Sequence, residues 1–123
     1  MEINYEQVLP LVLRAMFPKP AERAEVEEKL KKYGRESWQP VPDRIRLAIL
    51  KLVYDNPNHP GLLESLVETA CGDYRDVIYF AETPLSFEDW DLPNADPQKY
   101  DELLQQDKHN YFHWINKMTC ASL

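Results

Sequence analysis

Residues 43–54 read D-R-I-R-L-A-I-L-K-L-V-Y, and this stretch decides the fold. On a helix, at about 100° per residue, its apolar side chains occupy almost the whole circumference. Such a helix belongs inside a protein rather than on its surface. Two more helical segments follow: G-L-L-E-S-L-V-E-T-A-C over 61–71 and D-Y-R-D-V-I-Y-F-A-E over 73–82. Together the three form the expected centre of an all-α domain.

Upstream, Asn4 can cap a first helix over 5–17, with Gln7 completing a capping box and Ile3 and Val8 a hydrophobic staple. Pro10 falls inside it, where proline forfeits a hydrogen bond and crowds the carbonyl of Glu6. The helix either kinks there or restarts, and the kink is the preferred reading. A second helix spans 21–33. Glu22, Glu25, Glu27 and Glu28 fill its first half and Lys29, Lys31 and Lys32 its second, an order that suits the macrodipole. Glu25–Lys29, Glu27–Lys31 and Glu28–Lys32 are the expected i,i+4 pairs. Gly34 is a helix stop. Ser37 to Pro42 reads as extended chain, and Asp43 as the cap of the third helix, over 44–54.

The fourth helix spans 62–71 and ends at Gly72. Asp73 caps a fifth over 74–82, with Tyr74, Val77, Ile78 and Ala81 inward, and Pro84 bars its continuation. Residues 83–97 read as a linker, with Ser86 and Asp89 able to cap a single turn. Asp96 caps and Pro97 opens the last helix, which runs to about Met118. Its apolar stripe is Tyr100, Leu103, Leu104, Tyr111, Trp114, Ile115 and Met118. The expected architecture is one helical domain over 1–123, a compact orthogonal or irregular bundle of five to six helices.

The chain has 123 residues, 44% hydrophobic and 28% charged, which is globular composition and enough for a substantial core. Its 21 acidic and 14 basic residues give a net charge of −7. That balance opposes nucleic-acid binding, which needs clustered Lys and Arg. It suits solubility, or an acidic face for a basic partner. The apolar run 8–17 follows Glu2 and Glu6 and contains Pro10 and Arg14, so it reads as neither a signal peptide nor a span of about 20 residues. A soluble, cytoplasmic protein without a membrane partner is expected. Cys71 and Cys120 show no metal spacing and are expected to be free thiols, Cys71 on a core face.

Chemistry-bearing patterns are sparse. His109 and His113 stand four apart, a metal-ligand spacing, but the stretch is H-N-Y-F-H and lacks the acid of H-E-x-x-H. Both fall opposite the apolar stripe, near Glu102 and Gln106, so no metal is expected there. With three glycines in the chain no phosphate-cradling loop exists, and no cofactor is expected. Ser37, Ser65, Ser86 and Ser122 lack a nucleophile-elbow context, and His59 lies in a turn with no nucleophile to serve. The corner at Gly72 and Asp73 resembles a helix-turn-helix, but Tyr74, Arg75, Asp76 and Tyr79 offer one cation among acids.

The candidate interaction surface is Phe87, Glu88, Asp89, Trp90 and Asp91, aromatics flanked by charge. The competing and preferred reading has Phe87, Trp90 and Leu92 folding back over the core. A candidate structural ion pair starts from Arg46, which lies among Ile49, Leu50 and Val53. Asp107 lies in the apolar stripe of the last helix. A buried charge needs a partner, so Arg46 is expected to pair with Asp107 first and Asp76 second.

Residues 43–52, D-R-I-R-L-A-I-L-K-L, and 73–84, D-Y-R-D-V-I-Y-F-A-E-T-P, resemble segments of small uncharacterised bacterial α-helical proteins. That resemblance implies a helical fold and no particular activity. The function expected from the residues is a non-enzymatic protein-interaction module, such as a regulator, an adaptor or an immunity-type inhibitor. The alternative is a small enzyme or ligand-binding protein with an interhelical pocket.

Overall fold

At the centre lies α3 (Pro42–Asp55), whose Ile45, Leu47, Ala48, Ile49 and Leu50 are all fully buried. The computed structural model describes residues 2–121. Around α3 stand α1 (Tyr5–Met16), α2 (Pro20–Leu30), α4 (Leu62–Glu82), α5 (Pro84–Phe87), α6 (Leu92–Ala95) and α7 (Pro97–Ala121). No strand occurs among the described residues, so the fold is all-α. The most extensive packing is α3 on α4; α1 packs on both α3 and α7, and α5 and α6 lie along α7. Leu9, Val12 and Leu13 of α1 share one buried apolar cluster with Val67, Ala70, Val77 and Ala81 of α4 and Tyr111, Trp114, Ile115 and Met118 of α7. The i, i+3, i+4, i+7 spacing of the last four places them on one stripe.

The helix ends show where local chemistry decides and where it yields. Asn4 caps α1, its side-chain oxygen accepting from the Gln7 N–H at 3.2 Å. The helix continues through Pro10 rather than restarting. Asp96 caps α7 by accepting from the Lys99 N–H at 3.1 Å. Asp43, by contrast, is not a cap. α3 starts at Pro42, behind Val41, and Asp43 sits in the first turn, where its charge still suits the dipole. Val41 is left-handed, with φ +41°, between Pro40 and Pro42. A β-branched residue is strained there.

The chain from α2 to α3 folds over itself instead of extending. Gln39 is buried, and its side-chain oxygen accepts from the Gly34 N–H at 2.7 Å and the Glu36 N–H at 3.1 Å. The hydroxyl of Tyr33 donates to the Pro40 carbonyl at 2.8 Å. Gly34 has φ +102°, and a Cβ there would fall 2.7 Å from Nη2 of Arg46 and 2.9 Å from Cβ of Pro42. Glycine is required here on both counts.

The fourth and fifth helices of the sequence reading meet end to end at Asp73, as the two arms of α4 on either side of a kink. Asp73 alone leaves helical geometry, with φ −145° and ψ 97°. It does act as a cap, accepting from the Arg75 N–H at 3.1 Å. Gly72 does not take the positive φ of a helix terminator, which only Gly34 and Gly61 adopt among the described glycines. The two arms therefore join at a corner set by Asp73, where the sequence placed the break, without a positive-φ glycine.

The expected pairing of Arg46 with Asp107 or Asp76 is corrected. Arg46 caps the C-terminal end of α2: its Nε donates to the carbonyls of Leu30 and Tyr33 at 3.2 Å each, and its Nη2 to Tyr33 at 2.6 Å. Its carboxylate neighbour among the described residues is Asp43, at 3.6 Å on its own helix. Asp107, 1% exposed, instead anchors the start of α5. It accepts from the Leu85 N–H at 3.0 Å, the Ser86 N–H at 2.9 Å and the Ser86 hydroxyl at 2.7 Å. Both charges are matched by helix-end dipoles rather than by each other. On the charged face of α2 the expected Glu25–Lys29 pair forms, and Lys31 pairs with Glu28 rather than Glu27. Lys29 bridges Glu25 at 3.7 Å and, across to α4, Glu64 at 2.6 Å, while Lys31 meets Glu28 at 3.9 Å. The Lys29 hydrogen bond holds the Glu64 carboxyl below its usual range.

Candidate functional site

Pro84 stops α4, and the Asp107 carboxylate captures the two backbone N–H groups that follow it. The chain is thereby turned back along α7 as two one-turn helices, α5 and α6. This segment carries the acidic-aromatic sequence, and its rings part company. Leu92 is buried in the expected fold-back, but Trp90 is 84% exposed, and Phe87 is exposed along one side. The packing reading therefore fails for Trp90. Glu88, Asp89 and Asp91 surround it on the surface. Asp89 accepts from the Asp91 N–H at 3.1 Å, which closes the turn that carries Trp90.

Phe87 does not stand alone. Its ring stacks on Tyr79 of α4, with centroids 4.5 Å apart and planes 12° from parallel. It also meets Phe80 edge-on at 6.0 Å. Such ring pairs add about 0.5–1.5 kcal/mol beyond burial. Phe80 is itself 52% exposed, and Tyr79 and Leu85 are exposed. Tyr79, Phe80 and Leu85 thus add exposed apolar side chains to the candidate residues Phe87 and Trp90, and Tyr79, Phe87 and Trp90 border one groove. The sequence reading missed these three. The signal was present: Tyr74, Val77, Ile78 and Ala81 take the inner face of that helix, which leaves Tyr79 and Phe80 on the outer one.

The groove beside this aromatic face measures about 370 Å³ and is bordered by Phe87, Asp89 and Trp90 on one side and by Tyr100 and Leu104 of α7 on the other. It also reaches Arg44 and Glu82, which form a two-pronged pair. Arg44 Nε donates to Glu82 Oε2 at 2.9 Å and Nη2 to Oε1 at 2.8 Å. The Glu82 hydrogen bonds push the Arg44 pKa up, so the guanidinium stays charged. Arg44 lies over the Tyr5 ring, 5.9 Å from its centroid. This pair ties the start of α3 to the end of α4, fixing the helix that presents Tyr79 and Phe80.

The other sequence candidates fall away from this face or remain isolated. His109 and His113 are exposed on α7 with ring centroids 6.4 Å apart. No group of three or more metal-ligating side chains comes together among the described residues. Arg75, the one cation of the helix-turn-helix corner, is held by Asp73, with Nε–Oδ1 at 3.1 Å. Cys71 and Cys120 are free thiols, Cys71 half-buried against the Lys32 carbonyl. Trp38 and Val41 form a second, smaller exposed apolar spot on the α2–α3 connection. No helix among the described residues is long and apolar enough to cross a membrane. Compared with family models, curated proteins and solved structures, the chain matches none.

Proposed function

We propose that this chain is a non-enzymatic protein-interaction module whose aromatic face receives a basic segment of another protein. The observation that carries this reading is Trp90, a large apolar ring 84% exposed beside the Tyr79–Phe87 stack. Contiguous exposed aromatics of this kind mark binding surfaces. Trp and Tyr are also the residues that most often dominate binding energy. The rim supplies the sign of the partner. Glu88, Asp89 and Asp91 are exposed around the indole, and the whole chain carries −7. A Lys or Arg side chain fits this chemistry twice, over the ring face as a cation–π contact and beside the carboxylates as an ion pair. The acidic field would also steer a basic partner and speed its arrival.

The test places a photoreactive benzoylphenylalanine at position 90, and at position 28 on the charged face of α2 as a control, in the native cell. The expected result is one defined cross-linked protein at position 90, absent at position 28, whose yield falls as salt is raised. No adduct at position 90, or the same adducts at both positions, would overturn the reading.

A further inference from the structure

A second concavity lies between the start of α1, the end of α4 and the middle of α7. Its volume is about 610 Å³, inside the range of small-molecule sites. Ile3, Leu104 and Phe112 give it apolar walls, and Tyr5, Glu82 and Tyr111 give it polar groups. Tyr111 is the unusual member. It is 4% exposed, and its hydroxyl is buried with no hydrogen-bond partner among the described residues. A buried hydroxyl left unmatched is costly, and native proteins nearly always satisfy one. Burial and the neighbouring Glu82 carboxylate both push its pKa well above the ordinary tyrosine value, so it stands as a protonated donor. Burial and Glu82 act the same way on Tyr5. Glu82 is already engaged by both prongs of Arg44. What the Tyr111 hydroxyl lacks is therefore an acceptor. Of the charged groups lining the cleft, Glu82 is paired with Arg44, which leaves Glu2 and Lys108, of opposite sign.

We infer that this cleft binds a small, uncharged, mostly apolar molecule with one acceptor oxygen of the carbonyl type, which accepts a hydrogen bond from Tyr111. The Tyr111 hydroxyl is shielded from water, with Tyr5 and Glu82 beside it, so the ligand reaches it by displacing half-buried Tyr5. The cleft shares Glu82, Thr83 and Leu104 with the groove beside the aromatic face, but neither reading depends on the other.

The test is an NMR titration of the full chain with three probes: acetophenone, ethylbenzene, which lacks the acceptor, and benzoate, which adds a charge. Acetophenone is expected to give saturable shifts at the amides of Ile3, Tyr5, Thr83 and Phe112. Ethylbenzene should bind about three- to tenfold more weakly, the value of one hydrogen bond, and benzoate more weakly than acetophenone. Tyr111→Phe should fold at least as stably as the wild type, since it deletes an unpaired hydroxyl, and should bind acetophenone no better than ethylbenzene. Leu104→Trp, which fills the cleft, should abolish all three titrations. Shifts that fail to saturate or fall elsewhere, equal affinity for acetophenone and ethylbenzene, unchanged acetophenone binding by Tyr111→Phe, or tighter binding of benzoate would each overturn the inference.

Discussion

Arg46 shows how a charge can sit near the core of an acidic protein without a dedicated counterion. Its guanidinium takes the last carbonyls of α2, where the helix dipole is negative, and its contact with Asp43 is long and half-exposed. Arg46→Met should therefore destabilise by about 2–3 kcal/mol in urea unfolding, the scale of lost hydrogen bonds to a charged group. Asp43→Asn should cost less than about 1 kcal/mol. Equal losses for the two variants would mean that the ion pair, not the helix end, holds Arg46. That Arg46 and Asp107 occupy apolar helix faces was legible from the 3.6-residue period. Their partners were not, because they are backbone carbonyls and amides at the ends of other helices, and side-chain patterning says nothing about where those ends arrive. The tyrosines give a prediction in pH. Burial, the first cause in each, raises the pKa of Tyr5, Tyr33 and Tyr111 in the folded state. Their contribution to stability is complete below the unfolded value of about 10 and is lost as pH rises through the folded values. Melting temperature should fall steadily above about pH 10, and less steeply in Tyr111→Phe. A melting temperature that stays flat there, or an identical slope in the variant, would contradict the burial of these hydroxyls.

Among the elements, α5 decides whether an interaction face exists. It is a single turn, far too short to be stable alone, and it owes its place to three hydrogen bonds accepted by Asp107. Asp107→Ala leaves two backbone N–H groups without their acceptor and should cost about 2–4 kcal/mol. Amide exchange over Leu85–Leu92 should rise more than global unfolding explains, because the turn detaches from α7 before the core opens. A uniform rise over all helices would show that α5 belongs to the core cooperative unit. The same anchor preorganises Phe87 and Trp90, so ordering the segment does not have to be charged against binding. The sequence supported a single capped turn near Ser86 and both readings of the aromatics. It could not separate Leu92, which turns in, from Trp90, which turns out, because the choice depends on where Asp107 pins the chain. The corner at Gly72 and Asp73 was legible, since Asp73 leaves helical geometry and caps the second arm of α4; what was not legible is that Gly72 closes the first arm without a positive φ.

For the molecule as a whole, the all-α architecture follows from α3, whose apolar circumference demands neighbours on every side and obtains them from α1 and α4. The interaction face follows less directly. It combines an outer face of α4, a one-turn helix and the turn after it, and only the last two were marked in the sequence as candidates. Both halves of the reading, a rigid helical frame and an exposed aromatic-acidic face, converge on Trp90. A residue 84% exposed should be dispensable for folding, so Trp90→Ala is expected to change stability by no more than about 0.5 kcal/mol. The most direct measurement is the affinity of the partner cross-linked at position 90 for the wild-type chain and for Trp90→Ala, by calorimetry, alongside both melting temperatures. Affinity is expected to fall at least about thirtyfold, the scale of a binding hot spot, with melting temperature unchanged. Unchanged affinity, or a melting temperature lowered by many degrees, would contradict it.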